Sequence, residues 1–133
     1  MEAFTPTYGR VAQALADHAR QDSSAAWALL DEAGRFIALS RRLTDWLGQT
    51  EAELVGTDFL QLLPPPQVPL ARQVHRLVRS GVPEIARVWS LLRPNSTPAK
   101  ILVNWFRQES DEGPDFEVVH FELPEALAPR QAA

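Results

Sequence analysis

The chain has 133 residues, of which 45% are hydrophobic and 23% charged, with no cysteine and a formal net charge of −4. This length supports one hydrophobic core and therefore one domain. The negative charge argues against nonspecific binding to nucleic acid, which needs a basic surface. The absence of cysteine excludes disulfides, thiolate nucleophiles and Cys-ligated metal sites.

Targeting signals are also missing from the sequence. No apolar run reaches the roughly 18 residues that a membrane-spanning helix needs. The N-terminus lacks the charged-then-apolar pattern of a signal peptide. We therefore expect a cytoplasmic protein with no membrane partner.

The first predicted element is an amphipathic helix within residues 1–22. Thr7 is a suitable N-cap, and His18 extends the apolar series toward the end of the helix. The larger apolar side chains recur at alternating steps of four and three residues, at Phe4, Tyr8, Val11 and Leu15. So narrow a stripe is typical of a helix that packs on a sheet or on a partner helix.

A β-hairpin follows the Ser23-Ser24 break. Two short apolar runs, 27–30 and 36–39, flank the sequence Asp-Glu-Ala-Gly at 31–34. A loop of this length with glycine near its end is a good hairpin signal.

Three very short helices are predicted next, within 41–48, 51–56 and 59–63. Gly48 can end the first in the left-handed conformation. Thr50 and Glu53 form a capping-box pattern at the start of the second. Asp58 can cap the third, and the three prolines at 64–66 end it.

A longer helix over 67–80 and three strands complete the chain. The helix ends at Gly81, and its arginines at 72, 76 and 79 are interpreted as a solvated flank. Its predicted apolar face comprises Leu70, Ala71, Val74, Leu77 and Val78. The strands, at 85–92, 100–108 and 116–123, are separated by segments rich in turn residues. This order predicts an α+β fold with a five-stranded antiparallel sheet.

From about residue 27 to 123 the chain resembles the PAS sensor domains. The densest part is "LLDEAGRFIALSRRLTDWLGQTEAELVGTDFLQLLPP", with a strand–D-x-x-G–strand opening, the Leu-Gly pair at 47 and 48, and Gly56. Where many members have Asn after the second strand, this chain has Ser40. The resemblance implies a PAS domain over 23–124, preceded by the helix at 1–22 and followed by a flexible Pro/Ala-rich tail at 125–133.

The resemblance also implies where a ligand would lie. In this fold the short helices and the longer helix cover one face of the sheet, and members hold ligands between the two layers. A lid of short pieces also deforms more easily than one long helix. We expect a pocket for a small apolar ligand, if the module binds one, lined by Trp46, Phe59, Leu62, Val74, His75, Leu77, Val103 and Trp105.

Cofactor chemistry is restricted by the residues present. Without cysteine, the thioadduct of the flavin photosensors with this fold cannot form. Noncovalent flavin stays open as an alternative, with Asn104 and Gln61 as hydrogen-bond partners, although Asn104 is more simply explained as a solvent-facing strand residue. Haem through His75 is also an alternative, but it is not favoured because the histidine of haem-binding members falls nearer residues 67–68.

Neither a metal site nor an active site is predicted. His18, His75 and His120 are placed far apart by this fold, so a His-only metal site is not expected. No acid–base pair or nucleophile carries a recognisable local signature. We therefore expect a sensory and interaction module and no enzyme.

The partners are predicted from the sheet, both faces of which are largely apolar. Ile101, Val103 and Trp105 alternate with apolar residues on the other face, which must then be covered as well. We expect the helix stripe at 4–15 to cover it and to form a homodimer interface, as in PAS domains. Pro124 and Pro129 disfavour a helical output linker, so the signal is expected to reach a separate signalling protein or an effector domain missing from this chain.

Overall fold

A computed structural model describes residues 9–123 of the chain. The helices are α1 (Gly9–Gln21), α2 (Arg41–Leu47), α3 (Glu51–Leu54) and α4 (Val68–Ser80). Two short 3₁₀ helices, Phe59–Leu62 and Pro65–Gln67, lie between α3 and α4. The strands are β1 (Ala26–Leu30), β2 (Phe36–Leu39), β3 (Ile85–Leu91), β4 (Ala99–Gln108) and β5 (Phe116–Glu122).

The five strands form one antiparallel sheet in the order β2-β1-β5-β4-β3. The last strand therefore lies at the centre, between the first and the fourth. The predicted α+β fold, with its five-stranded antiparallel sheet and N-terminal helix, is confirmed.

The short helices form because each has the cap that its sequence predicts. Gly48 ends α2 with φ 73°, and the reciprocal Thr50–Glu53 capping box opens α3. The carboxylate of Asp58 accepts from the Leu60 amide at 2.9 Å. Without these caps, helices of four to seven residues would be unstable, because half or more of their backbone groups lack partners within the helix.

Ser40, directly after β2, is the N-cap of α2. Its buried Oγ accepts hydrogen bonds from the Leu43 amide at 3.2 Å and from the Trp27 amide at 3.0 Å. One hydroxyl thus caps α2 and also anchors β1. Because both amides are buried and out of reach of water, this single oxygen supplies an acceptor to each of them.

The main core lies between one face of the sheet and the helices from α2 to α4. Its centre is Phe59, whose ring meets those of Phe36, Trp105 and Phe121 edge-on, at centroid distances of 6.0, 5.3 and 5.9 Å. These four side chains are at most 2% exposed. The layer where we expected a ligand cavity is therefore occupied at its centre by aromatic side chains.

The buried face of α4 differs from the predicted one. Ala71, Val74 and Val78 are buried as expected, but Leu70 and Leu77 are 37% and 42% exposed. The prediction that both leucines belong to the buried face is wrong. The helix is seated on its smaller residues, so the flanking leucines point away from the sheet.

The contact between α1 and the sheet also differs from the prediction. The residues of α1 that are fully buried are Ala12, Ala16 and Ala19, which form an alanine row facing β1 and β2. Val11 is 38% exposed, whereas Leu15 is partly buried and packs against the same cluster, so the alanine row together with Leu15 is the face that α1 presents to its own sheet. Phe4, Thr7 and Tyr8 lie outside the described residues.

Both ends of α1 are held by carboxylates. At its start, Asp111 of the β4–β5 loop accepts from the amides of Arg10 and Val11, each at 3.2 Å. Just after its end, the carboxylate of Asp22 accepts from the indole of Trp27 at 2.8 Å. Gly9 has φ +81°, and a Cβ there would lie 2.3 Å from Asp111 Oδ1.

α1 covers only part of the outer face of the sheet. It packs on β1 and β2, where Trp27, Leu29 and Ile37 are buried. At the opposite edge of the same face, Val88 of β3 is 56% exposed. The outer face is therefore half covered within the described chain.

Candidate functional site

A buried carboxylate lies at the centre of the candidate site. Glu117 belongs to β5, where strand alternation places it on the inner face together with Val119 and Phe121. Its exposure is 0%, and among the described residues it is the one fully buried side chain that carries a formal charge. A buried carboxylate is costly unless donors surround it.

Three donors surround Glu117. The indole Nε1 of Trp105 lies 2.7 Å from Oε1, and Nδ1 of His75 lies 2.9 Å from the same oxygen. Nη1 of Arg79 approaches Oε2 at 3.5 Å and also donates to the Asp115 carbonyl at 3.0 Å. The carboxylate therefore connects β5, β4 and α4 in one network.

His75 links this network to the β1–β2 loop. Its second ring nitrogen, Nε2, lies 3.1 Å from the carbonyl oxygen of Glu32. Both nitrogens thus face acceptors, an arrangement that only the doubly protonated imidazolium satisfies. The hydrogen bond to Glu117 raises the pKa of His75 above its ordinary value of 6.5, and burial opposes this effect in part.

A pocket of about 250 Å³ opens beside His75. It lies between α4, the β1–β2 loop and the start of the first 3₁₀ helix. Arg72, His75 and Arg76 of α4 form one wall, and the other lining residues are Ala33, Gly34, Trp105 and residues 58–60. The pocket is thus at the edge of the core, with charged side chains at its rim.

The predicted lining residues are divided between different places. Phe59, His75 and Trp105 line this pocket. Trp46 is partly buried at another edge, where the guanidinium of Arg93 lies 4.2 Å from its ring centroid. Leu77 is exposed on α4. The other three predicted residues are packed in the core: Leu62, Val74 and Val103.

Several residues of the site were missed by sequence reasoning. Side chains alternate between the two faces of β5, so Glu117 lies on the inner face among apolar residues, and His120 on the outer face. A charged residue at an inward-facing strand position can be recognised from the sequence, and it could have indicated this site. The interpretation of the α4 arginines as a solvated flank was wrong for Arg79, which contacts Glu117. Arg72 and Arg76 are exposed, but they also line the pocket.

The alternative cofactor residues do not converge. Asn104 lines a groove on the outer face of the sheet, whereas Gln61 lines a depression beside Arg93 at the helical side. They cannot hold one flavin together, which corrects that hypothesis. Both nitrogens of His75 already have partners, an arrangement that does not fit a haem ligand. Residues 9–123 hold no group of three His, Cys, Asp or Glu side chains placed to bind a metal ion.

The groove on the outer face has a volume of about 530 Å³. Leu15 and His18 of α1 form one side, and Phe106, Val118 and His120 belong to its sheet surface. It occupies the part of the outer face that α1 leaves uncovered. Both α1 residues at its edge also contact the sheet: Leu15 packs against the outer-face cluster, and the His18 ring lies 5.9 Å from that of Trp27.

The chain matches the family described as PAS fold over residues 21–106, and it belongs to that family. PAS domains are a family of sensory signalling modules, so the class of this protein is established at that level. No curated protein matches the chain.

Solved structures agree on the fold. The Rhodobacter sphaeroides LOV protein matches with a TM-score of 0.69 at 19% identity, covering 93% of this chain and 74% of its own. The PAS domain of an HTR-like protein from Haloarcula marismortui matches with a TM-score of 0.66 at 16% identity, covering 84% and 90%. Drosophila melanogaster Cycle PAS-B with bound ethylene glycol matches with a TM-score of 0.65 at 13% identity, covering 73% and 97%.

These identities show a shared architecture and nothing finer. Within the described residues, no helix is both long and apolar enough to cross a membrane.

Proposed function

We propose that this PAS domain acts in cytoplasmic signal transduction as a homodimer, through α1 and the uncovered part of the outer sheet face. The observation that carries the proposal is the half-covered outer face: Val88 is 56% exposed, and the groove beside α1 has a volume of about 530 Å³. A free surface of this kind on a small domain is typical of an interaction site.

A second copy of the chain is the occupant that the surface favours. Val11 is exposed, and Leu15 is partly buried at the groove, whose lining combines the apolar Phe106 and Val118 with polar side chains. A two-fold axis would let the α1 of each protomer cover the groove of the other, and such a self-complementary patch is what a symmetric dimer needs. Phe4 and Tyr8 belong to the same apolar series of the sequence, and we propose them as further interface residues, although they lie outside the described residues.

The output of the module is then a change in contacts between proteins. The aromatic centre of the core supports a role in which packing, and no large buried cofactor, sets the shape of the domain. The receiver is a separate signalling protein or an effector domain outside this chain. We do not expect catalysis, since Glu117 and His75 are both engaged in the network that holds the sheet to α4.

The experiment is a measurement of mass in solution. At about 100 µM, well above the dissociation constant of a specific micromolar dimer, light scattering of the full chain should give twice the monomer mass of 14.9 kDa. Val88→Glu should shift the protein to monomer because it places a charge in the proposed interface.

Leu77→Glu is the matched control. Leu77 is 42% exposed, but it lies on α4 at the opposite side of the sheet, so the dimer should persist. A monomeric wild-type chain, or equal disruption by both substitutions, would contradict the proposal.

A further inference from the structure

Two arginines whose positive charges are not paired line the pocket beside His75. Arg72 and Arg76 lie four residues apart on α4, on the same side of the helix, and both line the pocket. Within residues 9–123, neither guanidinium has an ion-pair or hydrogen-bond partner. Arg79, one turn further, is by contrast engaged with Glu117.

The remaining charges at the pocket are already satisfied. Asp58 uses its Oδ1 to cap the 3₁₀ helix at the Leu60 amide, at 2.9 Å. His75 is paired with Glu117 at 2.9 Å. The charge of His75 is balanced by that of Glu117, so Arg72, Arg76 and Asp58 remain. Together these three side chains give the pocket a net charge of one positive unit.

The opposite side of the pocket is apolar. Its apolar lining there is the partly buried Leu60 together with Phe59 and Trp105, each only 1% exposed, and the β1–β2 loop adds Ala33 and Gly34. Its volume of about 250 Å³ lies below the usual range for drug-sized ligands, which begins near 300 Å³. Such a site suits a molecule of about ten non-hydrogen atoms, and it is too small for a nucleotide or an intact flavin.

We propose that this pocket binds a small organic monocarboxylate. The carboxylate is held by Arg72 and Arg76, whose planar guanidinium groups match its geometry. The apolar body of the ligand rests mainly on Leu60, since Phe59 and Trp105 expose only 1% of their surface. Asp58 at the rim disfavours ligands with several negative charges.

This inference rests on the proposed sensory function, for which it names the class of ligand. It differs from the expected small apolar ligand, because the pocket that exists is charged on one side. The proposed dimer interface is on the opposite face of the sheet. If the protein proves to be a monomer, the ligand proposal still stands. If no ligand binds, the dimer proposal still stands.

The test uses benzoate and its neutral isostere benzamide as probes. The full chain, labelled with ¹⁵N, is titrated with each compound while backbone amide signals are followed. Benzoate should shift the Gly34 amide and the amides of 72–76 with a dissociation constant below about 5 mM, and benzamide should bind at least about tenfold more weakly.

Substitutions then assign the contact. Arg72→Gln combined with Arg76→Gln should weaken benzoate binding at least about tenfold without changing the affinity for benzamide, since only the charge-assisted contact is lost. Arg41→Gln, at an exposed position on α2, is the matched control and should bind benzoate like the wild type. The proposal is overturned if benzoate shifts no signal at about 20 mM, if both probes bind equally, or if the double variant binds benzoate unchanged.

Discussion

The indole of Trp105 donates to the carboxylate of Glu117 over 2.7 Å, and neither side chain is more than 1% exposed. The bond joins neighbouring strands β4 and β5 on the inner face of the sheet. Because His75 binds the same carboxylate oxygen from α4, the pair also connects the sheet to the helix beside the pocket. The stability of this region should therefore depend on Glu117 more than on any exposed charge.

Replacing Glu117 by alanine should destabilise the domain strongly. The substitution leaves the Trp105 indole and the positive charges of His75 and Arg79 without their acceptor, and breaking a buried ion pair in this way costs about 3–5 kcal/mol. Urea unfolding followed by circular dichroism measures the change in the free energy of unfolding. Glu122→Ala, an exposed position on the same strand, should change it by less than about 0.5 kcal/mol.

The contribution of His75 to stability should fall as pH rises. Its pKa is raised in the folded state above 6.5, so the folded protein holds the proton more tightly than the unfolded chain does. The stabilisation is complete below the unfolded-state pKa and is lost as pH rises through the folded-state pKa. The charged groups around the ring are Glu117, Arg79, Arg72, Arg76 and Asp58.

Unfolding curves of the wild type and His75→Gln, taken at about pH 6 and about pH 9, test this expectation. The difference in the free energy of unfolding should be largest at the lower pH. His18→Gln, whose side chain is 69% exposed, is the control. A difference that stays constant or grows with pH would show that the charge of His75 is not involved.

Ser40→Ala should cost more stability than Thr50→Ala. Both residues cap a short helix, and loss of one cap costs about 1 kcal/mol. Ser40 is 0% exposed and also accepts from the Trp27 amide, so alanine removes the cap and leaves this buried amide without its acceptor, while the Leu43 amide keeps the Ser40 carbonyl at 3.1 Å. We expect a loss of about 2–3 kcal/mol for Ser40→Ala. Equal losses for the two variants, measured by urea unfolding, would mean that the contact with β1 contributes nothing.

Asp111→Ala should loosen the start of α1. The amides of Arg10 and Val11 lose their acceptor, so hydrogen exchange over residues 10–12 should become faster while the sheet is unchanged. Glu109→Ala, an exposed carboxylate of the same loop, is the control. Unchanged exchange in the Asp111 variant would contradict the role of this carboxylate as the cap of α1.

Much of the fold was predictable because its boundaries are set locally. Gly48, Gly81, the Thr50–Glu53 capping box and Asp58 act on residues within a few positions of themselves, and all form as the sequence indicates. The strands were predicted within a residue or two of their observed bounds. Turn residues and the alternation of polar and apolar residues along a strand act over a few positions, so a single sequence is enough to detect them.

The site was less predictable because it depends on contacts between distant segments. His75 and Glu117 are 42 residues apart, and they meet only because α4 packs on the inner face of the sheet. The exposure of Leu70 and Leu77 on α4, and the seating of α1 on alanine, were also missed. Size favours the larger leucines as the buried face, but the close approach of a helix to a sheet favours small side chains.

The alanine row of α1 has a mechanical consequence. Methyl groups do not interlock with the sheet, so sliding the helix along its axis changes little of what Ala12, Ala16 and Ala19 contact. Its axial position is held near its two ends, by Asp111 at the start, and at the end by Asp22 bonded to the Trp27 indole and by Arg20 bonded to Glu51 of α3. We expect a displacement of the β4–β5 loop to move the start of α1, while the contacts with Trp27 and Glu51 hold its end. Spin-label distances between α1 and β2 that stay the same in Asp111→Ala would rule this out.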